Sequence, residues 1–175
     1  MDRTERLTVA YLLISGAGTA TRAPELLRGL LALGFARVIA IPTPNAARVI
    51  AGRDLTEVSG ARVVESYFDR AILPNPPRGV VLFAPCGFNS LNKLAAGIAD
   101  TLTLSVAAEA IGRRTPVIVA PSLNQPLLDH PAAQASLRTL EAWGVRVVHP
   151  VDAGQGPRLA PTEALMTAVA AFRPA

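Results

Sequence analysis

Five strand-length runs of almost unbroken aliphatic residues, each closed by Pro, Gly or Ser, restrict the possible folds of this chain more than any other feature. They are "LTVAYLLIS" (residues 7–15), "ARVIAIPTP" (36–44), "GVVLFAP" (79–85), "TPVIVAP" (115–121) and "GVRVVHP" (144–150), with a weaker sixth, "ARVVES", at 61–66. Runs without polar alternation are strands buried on both faces, the pattern of a parallel sheet covered by helices. Helical spacing fills the gaps, over "RAPELLRGLLALG" with Gly34 as its C-cap, and over residues 90–112, 132–143 and 162–172. The expectation is α/β: one doubly wound domain over residues 1–175, with a mainly parallel sheet of about six strands. The Pro-rich "LPNPPRG" at 73–79 is too short for a linker and reads as an extended loop before the fourth strand.

Composition narrows the class. Half of the residues are apolar and 17% are charged, which excludes a disordered chain, and no apolar stretch has the roughly 18 residues of a membrane helix. So few charges cannot cover a small monomer, so a homo-oligomer is expected. The net charge of +4 comes from scattered Arg rather than a basic patch with aromatics, against nucleic-acid binding and compatible with an anionic ligand. A single Cys excludes an internal disulfide, and "MDRTERLTVAYLLIS" lacks the features of a signal peptide, so a cytoplasmic protein is expected. Cys86, His130 and His149 share no ligand spacing, and no metal site is expected.

Ligands of a doubly wound sheet bind beyond the carboxyl ends of its strands. After the first strand, "SGAGTATRAPE" offers Gly16 and Gly18 for close backbone approach and the hydroxyls of Thr19 and Thr21 at a helix start, chemistry suited to a phosphate; a plain tight turn is the alternative. A dinucleotide fingerprint would need a third Gly at Thr21 and an acid after the second strand, where "IPTPNAA" stands. A phosphorylated mononucleotide fits better. After the fourth and fifth strands, Pro85 is followed by Asn89 and Pro121 by Asn124. A side-chain amide can read a ring edge or a carboxylate, although a loop Asn more often caps a helix or makes an Asx-turn.

"APCGFNSLNKLAAGIADTLTLSVA" resembles the homo-oligomeric flavin-containing cysteine decarboxylases, in which Pro-Ala-Ser-Ala-Asn-Thr precedes a Lys-(Ile/Leu)-Ala-x-Gly-Ile-x-Asp run. "PSLNQPLLDHPAAQ" resembles the same family's Pro-x-Met-Asn-x-x-Met-Trp segment, and the likeness extends from "SGAGTATRAPELL" to "GQGPRLAPTEAL". The resemblance implies a Rossmann or flavodoxin-like fold, a trimer or dodecamer, and FMN at a subunit interface. It implies FMN contacts from Gly16, Gly18, Thr19, Thr43, Asn45, Pro85, Cys86, Gly87, Phe88 and Ser90, with Asn89 and Asn124 as the catalytic pair that orients the substrate carboxylate. The family activity is oxidative decarboxylation of a C-terminal cysteine or a cysteine-like small molecule.

Several positions depart from that pattern. The register of the family's active-site His falls on Ala71, the Met and Trp of the second motif are Leu123 and Leu128, and bulky Phe88 replaces a small residue. The Cys that coenzyme A synthesis needs near the C-terminus is absent from "VDAGQGPRLAPTEA". Cys86 is either a thiol beside the flavin or, as lone Cys usually is, a packed small hydrophobe. Two functions follow: an FMN-dependent decarboxylase (a lyase) with an atypical site, or a flavin-binding regulatory or partner protein without the lyase reaction.

Overall fold

The aliphatic runs form strands, and the chain folds in the order β1 (Val9–Ile14), α1 (Ala23–Ala32), β2 (Arg37–Pro42), α2 (Ala46–Val49), α3 (Gly52–Thr56), β3 (Ala61–Val63), β4 (Val80–Cys86), α4 (Phe88–Ala95), α5 (Leu102–Gly112), β5 (Val117–Pro121), α6 (Gln125–Leu128), α7 (Pro131–Ala142), β6 (Arg146–Val147), β7 (Val151–Asp152), β8 (Pro157–Arg158) and α8 (Thr162–Ala170). The computed structural model describes residues 7–50, 52–152 and 154–173, so the charged opening of the chain lies outside the described residues.

β1, β4 and β5 are buried at every position, which is why their sequences show no polar alternation. Alternate residues of β1 serve opposite faces of the sheet. Ala10, Leu12 and Ile14 pack with Leu26, Leu27 and Leu30 of α1 and with Leu165 and Val169 of α8. Val9, Tyr11 and Leu13 share the other core with Leu91 and Leu94 of α4, Leu104 and Val106 of α5, and Leu137 and Leu140 of α7.

The six main strands pair in parallel in the order β3-β2-β1-β4-β5-β6. From β1 the chain steps outward to β2 and β3, then returns to lay β4 on the other side of β1. The loops leaving β1 and β4 therefore diverge, and a crevice opens between them.

Local structure differs from the periodicity in three places. The single helix expected over 90–112 is two helices, because Gly97 adopts φ +72° after α4 and the Thr101 hydroxyl caps α5 by accepting the Leu104 N–H at 3.3 Å. The runs at 61–66 and 144–150 shorten to three and two strand residues at the two sheet edges, where one side of the ladder has no neighbour. A small antiparallel pair, β7 with β8, follows β6. Residues 73–79 carry no regular structure. Among the described residues no helix is long and apolar enough to cross a membrane.

Candidate functional site

The loops after β1, β2 and β4 enclose a cleft of about 280 Å³ at the switch point. Ser15 joins two of its walls. Its N–H and Oγ donate to the Pro85 carbonyl at 3.0 and 2.9 Å, and its Oγ accepts the Gly87 N–H at 2.7 Å. A side chain on Gly87 would approach Ser15 Oγ to 3.2 Å, so the glycine keeps this junction tight.

Gly16 and Asn45 bring the third wall in. A Cβ on Gly16 would lie 2.6 Å from Asn45 Cβ and 2.8 Å from its carbonyl carbon, a separation that only glycine permits. Thr43 is buried; its N–H donates to the Ile14 carbonyl at 2.8 Å and its hydroxyl accepts the Ala46 N–H at 3.2 Å. That threonine thus sets the turn that presents Pro44 and Asn45 to the cleft.

Gly87, Phe88, Asn89 and Ser90 form the wall at the start of α4, with the Asn89 side of the turn exposed. The α4 N-cap has no side-chain hydrogen bond and its first turn carries no acid, so its backbone N–H groups leave the cleft end suited to negative charge. Lys93, the only lysine of the chain, lies one turn further and pairs with Asp100. The pair ties the end of α4 to the loop before α5, where Ile98 N–H returns to the Lys93 carbonyl at 2.9 Å. Sequence reasoning assigned no role to Ser15, Lys93, Asp100 or Thr101. The available signal was a cation and an acid flanking Gly97 within the quoted motif.

A second groove, of about 430 Å³, shares Thr43, Pro44, Asp100 and Thr101 with the cleft and is bordered by Tyr67 and Phe68. Phe68 is 85% exposed and Tyr67 49%, and the Tyr67 hydroxyl meets Ser105 Oγ.

Gly16, Thr43, Asn45, Gly87, Phe88, Asn89 and Ser90 thus come together, while six expected residues stand apart from the lining. Thr19 Oγ1 is 2.7 Å from Ser122 Oγ, so its hydroxyl joins the β1 and β5 loops, and Thr21 donates to the Gly18 carbonyl at 3.3 Å. Gly18 has open space where a Cβ would stand. Pro85 and Cys86 are buried within β4; burial pushes the Cys86 thiol far above its ordinary value, so it stays protonated and acts as a packed apolar group. Asn124 is exposed and caps α6, its Oδ1 accepting the Leu127 N–H at 3.1 Å.

The histidines are also accounted for. His130 caps α7, its Nδ1 accepting the Ala132 N–H at 3.1 Å, and its ring meets Phe88 edge-on at 5.3 Å. His149 lies 3.4 Å from Glu141. Ala71, at the register of the family histidine, sits beside Arg37, Val38 and Ile39 at the amino end of β2, the end remote from the cleft.

A parallel six-stranded sheet in this order, with a polar cleft at its switch point, defines a doubly wound α/β protein with a cofactor-type site. The chain belongs to the Flavoprotein family, whose profile matches residues 2–173. It is 28% identical over 145 residues to the coenzyme A biosynthesis bifunctional protein CoaBC of Thermococcus kodakarensis, covering 79% of this chain and 36% of that protein. The CoaBC of Mycobacterium bovis is 31% identical over 166 residues, covering 88% of this chain and 38% of the relative. The chain therefore spans less than two-fifths of the length of these two relatives. Among solved structures, a PPC decarboxylase mutant complexed with pantothenoylaminoethenethiol superposes with TM-score 0.79 at 22% identity, over 95% of this chain and 98% of that one. The FMN-dependent cysteine decarboxylase TvaF from thioviridamide biosynthesis superposes with TM-score 0.70 at 25% identity, over 81% and 90% of the two chains.

Proposed function

We propose that the cleft at the ends of β1, β2 and β4 holds FMN and that the protein is an oxidative decarboxylase of a C-terminal cysteine or a cysteine-like small carboxylate. The observation that carries this reading is the convergence of Gly16, Asn45 and the Gly87–Ser90 turn on one crevice at the switch point of a Flavoprotein-family sheet. The residues suit the cofactor. The uncapped, acid-free start of α4 favours a phosphate, while the amides and hydroxyls of Asn45, Asn89, Ser90 and Thr101 suit the polar edge of a flavin ring. A bound flavin supplies two-electron oxidation of a thiol-bearing substrate, after which loss of carbon dioxide is eased by delocalisation.

The chain's own groups bind and orient. Asn89 has a donor and an acceptor at the exposed start of α4 and would hold the substrate carboxylate there. Phe88, braced by the His130 ring, offers an apolar wall where the family has a small residue. The Asp100 carboxylate offsets the Lys93 charge, which keeps the cleft near neutral and holds the α4–α5 loop against it.

A second reading has its own observation. Ala71 cannot exchange a proton, and Asn124 spends its side-chain carbonyl on α6. These two positions favour a flavin-binding regulatory or partner protein without the lyase reaction. Anaerobic mixing of the FMN-loaded protein with peptides ending in cysteine separates the readings: flavin bleaching with carbon dioxide release supports the enzyme, and an unchanged spectrum across the panel supports the binding protein.

Assembly into a trimer or dodecamer belongs to the same proposal, supported by the exposed Phe68 and Tyr67 at the rim of the groove that adjoins the cleft. Nucleic-acid and membrane partners have no part in it, and a cytoplasmic setting is assumed.

A further inference from the structure

A cluster of arginines that the cleft does not use lies at the other end of β2. Arg37 at the start of β2, Arg62 on the edge strand β3 and Arg70 in the following turn line a groove of about 300 Å³, with Val38, Ile39 and Ala71 as its apolar wall. One acid touches it. Asp69 Oδ1 accepts from Arg62 Nη2 at 2.8 Å and from the Ala71 N–H at 2.7 Å, and the Ala71 N–H first, then Arg62, holds that carboxyl below its ordinary value. Among the described residues, the guanidinium groups of Arg37 and Arg70 have no hydrogen-bond or ion-pair partner, although the Arg37 backbone N–H donates to the Thr8 carbonyl at 3.2 Å.

Three guanidinium groups against one carboxylate leave two positive charges facing the same concavity. A monocarboxylate would leave one of them unmatched, whereas a dianion matches both. Guanidinium forks also fit the oxygens of a phosphate in pairs. We propose that this groove is a binding site for a phosphate-type dianion, either free phosphate or the phosphate group of a small molecule. Thr43 at the cleft is six residues along the chain from Arg37, about 20 Å of extended strand, so one phosphate cannot serve both places.

The test is calorimetric titration of the FMN-saturated protein at low ionic strength with inorganic phosphate and, separately, with phenyl phosphate. The expected result is saturable binding at one site per chain, weakened at least tenfold in the Arg37→Gln/Arg70→Gln double variant and partly restored in Arg37→Lys/Arg70→Lys. Both arginines are exposed, so the melting temperature of the double variant should match that of the wild type. A cleft variant, Gly16→Ala, should bind phosphate in the groove as the wild type does even if it no longer holds FMN, which keeps the two sites' outcomes apart. Binding of inorganic phosphate alone identifies the free ion as the ligand, and binding of both probes identifies the phosphate group. The proposal is overturned by absence of saturable binding, by equal binding in the glutamine double variant, by loss in Gly16→Ala alone, or by a single-stranded DNA oligomer binding tenfold tighter than either probe.

Discussion

Ser15 Oγ accepts the Gly87 N–H at 2.7 Å and donates to the Pro85 carbonyl at 2.9 Å, so one hydroxyl stitches the end of β1 to the end of β4 where the sheet changes direction. Removing it leaves the half-buried Gly87 donor without its acceptor. Ser15→Ala should cost about 1–3 kcal/mol of unfolding free energy, the usual penalty for an orphaned buried group. Urea unfolding measures this, and an unchanged midpoint would show that the stitch carries no load.

Gly16→Ala should be worse for ligand binding than for folding. The added methyl meets Asn45 Cβ at 2.6 Å, and relief requires the Asn45 loop to swing outward, widening the cleft. The visible absorption of the protein after incubation with FMN and desalting should fall to a small fraction of the wild-type value. Gly18→Ala is the control, since a Cβ there meets no atom within 4 Å.

Asn89 and Asn124 should part company. Asn124→Ala loses the cap of α6 and should destabilise the protein by about 0.5–2 kcal/mol with flavin retained. Asn89→Ala should leave the melting temperature unchanged and slow flavin reduction by substrate roughly 10- to 100-fold, as loss of about 1–3 kcal/mol of carboxylate contact implies. Equal kinetic losses in both variants would mean that Asn124 reaches the substrate despite its cap.

Stability should fall in alkali. Burial raises the pKa of Cys86 above its ordinary value of 9.0 and that of Tyr11 above 10.0, so the folded state holds protons that the unfolded chain releases. Their contribution is complete below those ordinary values and is lost as the pH rises past them. The urea midpoint should begin to drop above pH 9.0, and Cys86→Ala should delay the drop until Tyr11 takes over above 10.0. A midpoint flat through this range would contradict the burial of both groups.

Phe68→Asp addresses assembly. A ring 85% exposed in the single chain becomes buried if copies meet at the groove beside the cleft, and a carboxylate there would be desolvated without a partner. Light scattering should move from a multiple of 18.3 kDa to the mass of one chain. Identical masses for wild type and variant would place the interface elsewhere.

Much of the fold was legible before any coordinates. Unbroken runs such as "VAYLLI" and "VIVAP" can be satisfied only in the interior of a two-sided sheet, and their alternation with helices fixes parallel pairing. The strand ends then point to the crevice that Gly16 lines, whereas Thr43, Asn45 and the turn at 87–90 were expected there through the family resemblance. The break between α4 and α5 was less legible, because Ala96, Gly97 and Thr101 are tolerated inside a helical pattern and only their backbone geometry makes them a stop and a start.

By itself the sequence determined the class of sheet and the strand ends beyond which a ligand would lie, since these are written in local spacing, and its motifs carried the resemblance to the family. The tertiary structure alone decided which polar groups share a space. It put Asn89 in the cleft and Asn124 on a helix cap, buried Cys86, closed Lys93 onto Asp100, and carried Ala71 to the arginine groove at the far end of β2. Spacing along a chain reports the secondary structure a residue occupies. Proximity across strands and loops depends on crossover order and on which side chains find a partner first, and neither is visible in one dimension.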